Sequence, residues 1–398
     1  MSGYPSGTAA IMPYAFAVPA GGIPEPHAPR LNALTGLRWW AAFAVFFYHM
    51  RIFAPLPGLS GVAHFGNYGV MFFFILSGFV LTWSAKPTTA VSTFYVNRFA
   101  RIWPAAFVAL LLAIPVFYSF DPDPAQWWVK PVNFAILALS IPLIQGWWRD
   151  PVIFFSGNPA AWTLTVEFFF YALHPLLMRA LRLLTSRGAL IAGGVVLALS
   201  GVHQGLASFV PGYPLVALPV PVLRLNEFVL GMLIAQAMRR GWLTRIPTWV
   251  PFAAGGLVVA ATMLAGRVGM PPGAISLLTA FTPFAILLVL TVAIAAVAAR
   301  EIRGRRSILA SRPLIVLGEW SFTFYLVHAT VMYVFVATIG SHAPAWRNLA
   351  WYPVVFVPAL LLAAAIHLWV ERPLERRIRT AWAARRERRA VGTVPEGT

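Results

Sequence analysis

Eleven apolar stretches divide this chain, at roughly 36–54, 66–84, 104–120, 132–148, 162–180, 189–205, 214–237, 247–265, 274–299, 313–339 and 350–370. Each approaches the ~20 residues a helix needs to cross the hydrocarbon core of a bilayer. Backbone at that depth has to be hydrogen-bonded within the protein, and a helix does this inside a single segment. Composition points the same way. Of the 398 residues, 59% are hydrophobic and only 11% are charged, whereas a soluble domain carries about a quarter charged residues. The expected fold class is an all-α polytopic membrane protein. No polar stretch is long enough for a second, soluble domain.

The charges then test the number of crossings. The net charge is +18, nearly all from arginine, with Lys86 and Lys130 the only lysines. These residues cluster beside apolar segments, where they report orientation, because cytoplasmic loops are enriched in Lys and Arg. The excess therefore needs no nucleic-acid partner. Lys86 to Arg101, Arg179 to Arg187, Arg239 to Arg245, Arg300 to Arg312 and Arg372 to Arg389 are all expected on the cytoplasmic side. Between Arg101 and Arg179 lie three apolar segments, and three crossings cannot join two stretches on the same side. One of them should not cross, most plausibly within 132–162, which Pro142, Gly146, Pro151, Gly157 and Pro159 interrupt. The expectation is about ten transmembrane helices plus one re-entrant or non-crossing segment, multi-pass in the cell membrane with both termini cytoplasmic. Residues 1–30, rich in Pro, Gly and Ala, are expected to be a disordered cytoplasmic tail. The transmembrane domain covers 31–377, and 378–398 form a basic cytoplasmic tail. The chain has no cysteine, which excludes disulfides and thiolate chemistry.

Two ionisable residues interrupt the first apolar segment: Arg38 and His49, eleven positions apart with only apolar and aromatic residues between them. Eleven residues is close to three turns, so both project from one face, roughly 16 Å apart along the axis. An ionisable side chain inside a span marks a functional site by default. Neutral histidine is the commonest general base near neutral pH, and a buried arginine with no nearby carboxylate suits an anionic ligand. In the second segment Ser77-Gly78 permits close backbone approach; helix packing through small residues is the plainer explanation. Ser77 as a nucleophile lacks the Gly-x-Ser-x-Gly context of a strained elbow. Arg98 and Arg101 are three apart, adjacent on one helix face. They are either a positive-inside anchor or a phosphate-binding fork at a helix N-terminus. Glu167 sits among aromatics in Trp162-Thr163-Leu164-Thr165-Val166-Glu167-Phe168. A buried carboxylate needs a partner, either His49 or one of the arginines. Arg224 and Glu227 are spaced to pair with one another, and His328 lies mid-span. No spacing of histidines and carboxylates suggests a metal site.

In chain order, these motifs resemble the membrane acyltransferase family 3. The resemblance runs from about Leu31 to Arg377. Arg38 and His49 match that family's Arg-x10-His element, and Phe72-Phe73-Phe74-Ile75-Leu76-Ser77-Gly78 its Phe-Phe…Ser-Gly element. Arg98 and Arg101 match Arg-x-x-Arg. Trp162 to Glu167 matches Trp-Ser-Leu-Ser-x-Glu, with threonines for serines. Tyr325-Leu326-Val327-His328 and Val370-Glu371-Arg372-Pro373-Leu374 match the C-terminal landmarks. One departure is Met71, which stands where many members have an acidic residue. With no soluble esterase-like domain after the membrane part, transfer is expected to be completed there or by a separate partner.

The resemblance implies an O-acyltransferase that moves an acyl group, usually acetyl, from acyl-CoA (acetyl-CoA) to a hydroxyl. The acceptor would be a sugar, a cell-surface glycan or a macrolide-type metabolite. Under it, His49 takes the hydroxyl proton, Glu167 orients the imidazole, and Arg38 holds donor phosphate or stabilises the oxyanion. Arg98 and Arg101 bind the donor, and Ser77-Gly78 lets the acyl chain pass. The alternative is a transporter or flippase, which also uses broken helices and intramembrane charges. The absence of visible internal repeats and the presence of a base with a carboxylate separate the two.

Overall fold

The structure, a computed structural model, describes residues 29–391. All but the last two residues of the tail expected over 1–30 therefore lie outside the described residues. Ten long helices follow one another: α1 (Asn32–Phe53), α2 (Ser60–Trp83), α3 (Val91–Phe117), α4 (Pro159–Leu181), α5 (Ser186–Phe209), α6 (Val220–Arg239), α7 (Trp249–Leu264), α8 (Pro272–Ile302), α9 (Arg312–Ile339) and α10 (Trp346–Arg389). Among the described residues, eight of these are long and apolar enough to cross a membrane. The other two are α1, whose arginines and histidine dilute its apolar character, and α7, with 16 residues. The chain is an all-α polytopic membrane protein. Successive helices alternate in direction, so the starts of odd helices and the ends of even ones form one arginine-rich end, the basic end.

The odd segment behaves as the charge argument requires. Within 132–148 the longest helix, Phe134–Ser140, has seven residues, ~10 Å at 1.5 Å per residue, and cannot cross a ~30 Å core. The connection from α3 to α4 instead folds across the end opposite the basic one. It opens with a two-residue parallel pair, β1 (Tyr118–Ser119) against β2 (Lys130–Pro131). It is held down by side chains: Tyr118 Oη accepts from Gly157 N at 2.7 Å, Lys130 Nζ donates to Phe155 O at 2.6 Å, and Arg149 donates to the carbonyls of Val216 and Leu218. Burial lowers the Lys130 ammonium to about 8. Phe120, Trp127 and Phe134 remain exposed along this connection, as aromatic residues at a membrane interface do.

Two boundaries differ from the apolar pattern. α3 starts at Val91 rather than near 104, because its first three turns are polar enough to hide in a hydropathy profile. Arg98 and Arg101 therefore sit beyond the first turn, and the dipole and free N–H groups of a helix N-terminus are not what they offer an anion. α10 does not stop near 370. After Trp351–Ile366 comes a π-helical turn, His367–Glu371, and the helix then runs on to Val391. That basic extension docks on the start of α3, where Trp382 Nε1 and Arg386 both donate to Thr93 Oγ1, at 3.1 and 2.9 Å.

Packing rests on close backbone approach and on aromatics. A Cβ at Gly78 would collide with the carbonyl oxygen of Phe228, and one at Gly231 with that of Ile75. Small residues let α2 and α6 touch backbone to backbone, which is where packing in a bilayer gains most. α1 runs through the core beside α9. Trp39 and Phe46 lie 5.2 and 5.8 Å from the Phe324 ring, and Phe46 lies 5.7 Å from Phe356 of α10. The N-terminus of α1 is capped from α8: Glu301 accepts from Asn32 N and Ala33 N, each at 2.8 Å. One carboxylate thus satisfies two of the four orphan N–H groups and meets the positive end of the dipole. Glu301→Ala should cost about 1–2 kcal/mol, as the loss of a cap does. A lowered thermal midpoint in detergent checks this, and Glu301→Gln, which keeps one acceptor, should lose less.

Candidate active site

Arg38 is the junction of the molecule's interior space. Three cavities share it as a wall. The largest, about 460 Å³, opens at the basic end between Arg38, Arg101, Arg372 and Glu375 on one side and Leu76, Phe79 and Trp83 on the other. The second, about 120 Å³, lies deeper, between Arg38, Ser77, Arg98, Arg101, Glu167 and Tyr171. The third, about 50 Å³, is bounded by Arg38, Phe73, Thr163, Glu167 and Tyr325. The space narrows as it goes inward and changes from arginine-lined to aromatic. At the wide mouth, Arg30 pairs with Glu319 at 2.6 Å and Trp83 Nε1 donates to Pro29 O at 3.0 Å. Gly36, two residues before Arg38, packs so closely on the Leu309 carbonyl that a Cβ would not fit. That contact fixes the turn of α1 from which Arg38 projects.

Glu167 faces the same space from α4. Its Oε2 accepts from Tyr171 Oη at 3.2 Å, one turn along the helix, and it shares two cavities with Arg38. The hydrogen bond of Glu167 thus goes to Tyr171, and the arginine near it is Arg38 across the shared cavities. His49 is roughly 16 Å further along α1 and lines none of the three cavities. Its ring lies 5.2 Å from that of His328, and its Nδ1 is buried without a partner.

The two arginines of α3 have different surroundings. Arg101 pairs with Glu371, which is fully buried in the π-turn of α10, and lies 3.7 Å from Glu375. Glu371 also contacts His367 Nδ1 at 3.1 Å. A π-turn inserts one residue into the helical register and recurs at functional sites; here it turns Glu371 toward α3. Arg98 has no carboxylate partner among the described residues, and its Nε is buried without a bond. Ser77 lines the second cavity, whereas Gly78 packs against Phe228 and lines none. Arg224 and Glu227 pair at 2.5 Å, as their spacing suggested. Sequence reasoning missed Tyr171, which its position four residues after Glu167 signals. It also missed Glu371 as the partner of Arg101, which nothing local signals.

Three adjoining cavities that share Arg38 and are lined by several arginines can receive an anionic ligand, and comparison with known proteins bears on this. The family model described as an acyltransferase domain matches residues 31–368. The chain belongs to this acyltransferase family. Acyltransferase MdmB of Streptomyces mycarofaciens is 32% identical over 402 residues, covering 93% of this chain and 96% of the relative. Peptidoglycan O-acetyltransferase OatA of Listeria monocytogenes is 28% identical over 157 residues, 36% of this chain and 23% of the relative. Nodulation protein 10 of Rhizobium leguminosarum bv. viciae is 29% identical over 181 residues, 42% of this chain and 49% of the relative. No solved structure matches. The acyltransferase is thus an enzyme that transfers groups other than amino-acyl groups, built as a multi-pass membrane protein.

Unequal pairing of the two arginines sets unequal outcomes. Arg101→Ala leaves the Glu371 carboxylate buried and uncompensated, a loss of about 3–5 kcal/mol. It should appear as loss of monodisperse protein in size-exclusion chromatography. Arg98→Ala removes no ion pair and should leave the folded yield unchanged.

Proposed function

We infer that this acyltransferase moves an acyl group, acetyl in the first instance, from acyl-CoA to a hydroxyl of a sugar, a cell-surface glycan or a macrolide-type metabolite. The observation that carries the reading is the run of cavities walled by Arg38, which leads from the basic end to the aromatic interior below His49. The positive-inside tendency assigns the basic end to the cytoplasm, with both termini there, and acyl-CoA is a cytoplasmic donor. Its phosphates are answered by Arg38, which walls the wide mouth, and by Arg98, with its unpaired Nε, in the cavity just inside it. Arginine suits them because its planar donors match phosphate oxygens. Arg101, neutralised by Glu371, shapes the wall. Glu167 opposes Arg38 and holds its guanidinium toward the cavity. The slender thioester arm follows the narrow part inward.

The acceptor hydroxyl meets His49 from the other end of α1. His49 removes its proton, the oxygen attacks the thioester carbonyl, and the thiol leaves with the proton His49 took. Ester and free thiol are the products. General-base help of this kind contributes about 10²–10⁴-fold. The relatives' names support the chemistry: one is an acyltransferase and one a peptidoglycan O-acetyltransferase.

Two measurements test the proposal. Purified protein should consume acyl-labelled acetyl-CoA, and extracts of cells with and without the gene should differ by an acyl mass on one metabolite or glycan. His49→Ala should abolish transfer while the protein stays folded, and Arg98→Ala should raise the donor KM with kcat nearly unchanged. Full transfer by His49→Ala would remove His49 from the mechanism.

A further inference from the structure

We propose that His328 is the positioning residue for His49, fixing which of its ring nitrogens carries the proton. The inference rests on the acyl-transfer reading of His49 above. His328 lies on α9 and is 1% exposed. Its Nδ1 sits 2.8 Å from Tyr325 O and 3.2 Å from Phe324 O. A carbonyl oxygen only accepts, so Nδ1 carries the proton and donates it there. A neutral imidazole has one N–H, which leaves Nε2 as an acceptor.

That acceptor is buried without a partner, and so is Nδ1 of His49. The two rings stand 5.2 Å apart, centroid to centroid, and tilted by 50°. The broad χ2 torsion of histidine allows the ring rotations that would bring the two nitrogens together to close a bond. Two orphaned buried nitrogens of complementary capacity thus face the same gap. With His49 Nδ1–H donating to His328 Nε2, the lone pair of His49 Nε2 is the one presented to a hydroxyl. The rest of the surroundings are rings: Phe46 at 6.4 Å, Phe324 at 5.8 Å and Tyr325 at 5.9 Å from His328. Glu167, whose hydrogen bond goes to Tyr171, is joined to neither histidine among the described residues.

Two substitutions separate positioning from mere packing. His328→Asn keeps a donor where Nδ1 sits, so it preserves the bond to Tyr325 O, but it offers nothing to His49. His328→Gln places its amide oxygen near the position of Nε2 and keeps the acceptor. Steady-state transfer by the purified full-length enzyme is measured with acetyl-CoA varied, together with the thermal midpoint of each variant. In His328→Asn we expect kcat to fall about 10²-fold, the lower end of what a general base supplies, with donor KM within twofold. His328→Gln should recover at least tenfold of that loss. Adding His328→Asn to His49→Ala should cost nothing further. Unchanged kcat in His328→Asn, or activity in His328→Asn equal to or above that of His328→Gln, overturns the proposal, since a structural role through Nδ1 predicts that order. Failure of the acyl-transfer reading itself shows separately, as full transfer by His49→Ala or no consumption of acetyl-CoA by the wild type.

Discussion

A guanidinium inside a membrane protein has to be answered by a carboxylate, and the interior of this molecule is organised around such answers. Arg38 on α1 faces Glu167 on α4, Arg101 on α3 meets Glu371 on α10, and Arg224 meets Glu227 at the start of α6. Desolvating two charges rarely yields net stability, but removing one partner of a buried pair is strongly unfavourable. The pairs therefore act as registration devices. Arg101 with Glu371 joins helices far apart in sequence, whereas Arg224 with Glu227 is local to α6. Arg98 is left without a carboxylate among the described residues, and its buried Nε has no partner. Positive charge is concentrated where a ligand can reach it and compensated where the fold needs it.

The same economy shows in how α1 is held. Its N-terminus is capped by Glu301 from α8, its second turn is pressed onto the Leu309 carbonyl, and its aromatic face packs on α9 and α10. α1 is the helix that carries both Arg38 and His49, and these contacts from three other elements fix it along its length. A site whose two ends lie on one rigid helix keeps their separation constant, which neither a loop nor a pair of helices would guarantee.

Much of this was legible in the sequence, for identifiable reasons. Hydropathy located the helices because lipid demands long apolar runs, and an odd number of apolar segments between two arginine-rich stretches exposed the one that does not cross. Arg38, His49 and Glu167 stood out because charge is rare in such runs. What was not legible depends on contacts between distant parts of the chain. Arg38, which shares two cavities with Glu167, is 129 positions from it, and the partner of Arg101 is 270 away. The start of α3 at Val91 and the continuation of α10 to Val391 were hidden because helix propensity in polar, arginine-rich turns leaves no hydropathy signal. The π-turn that aims Glu371 has no sequence signature at all.

The shape of the interior also limits what can travel through it. Ligand pockets for drug-sized molecules occupy about 300–1,000 Å³. Here only the cavity at the basic end, about 460 Å³, is in that range, and the space falls to about 120 and then about 50 Å³ toward Tyr325. In this conformation a nucleotide can be held at the mouth, and a thin acyl-bearing arm can extend inward. The two inner cavities are far below that range. Under the proposed function, the acceptor would then present its hydroxyl from the side of His49. On that reading, the roughly 16 Å between the two residues on α1 would separate the substrates, with the charged donor at Arg38 and its neighbours and the acceptor at the far end of the helix.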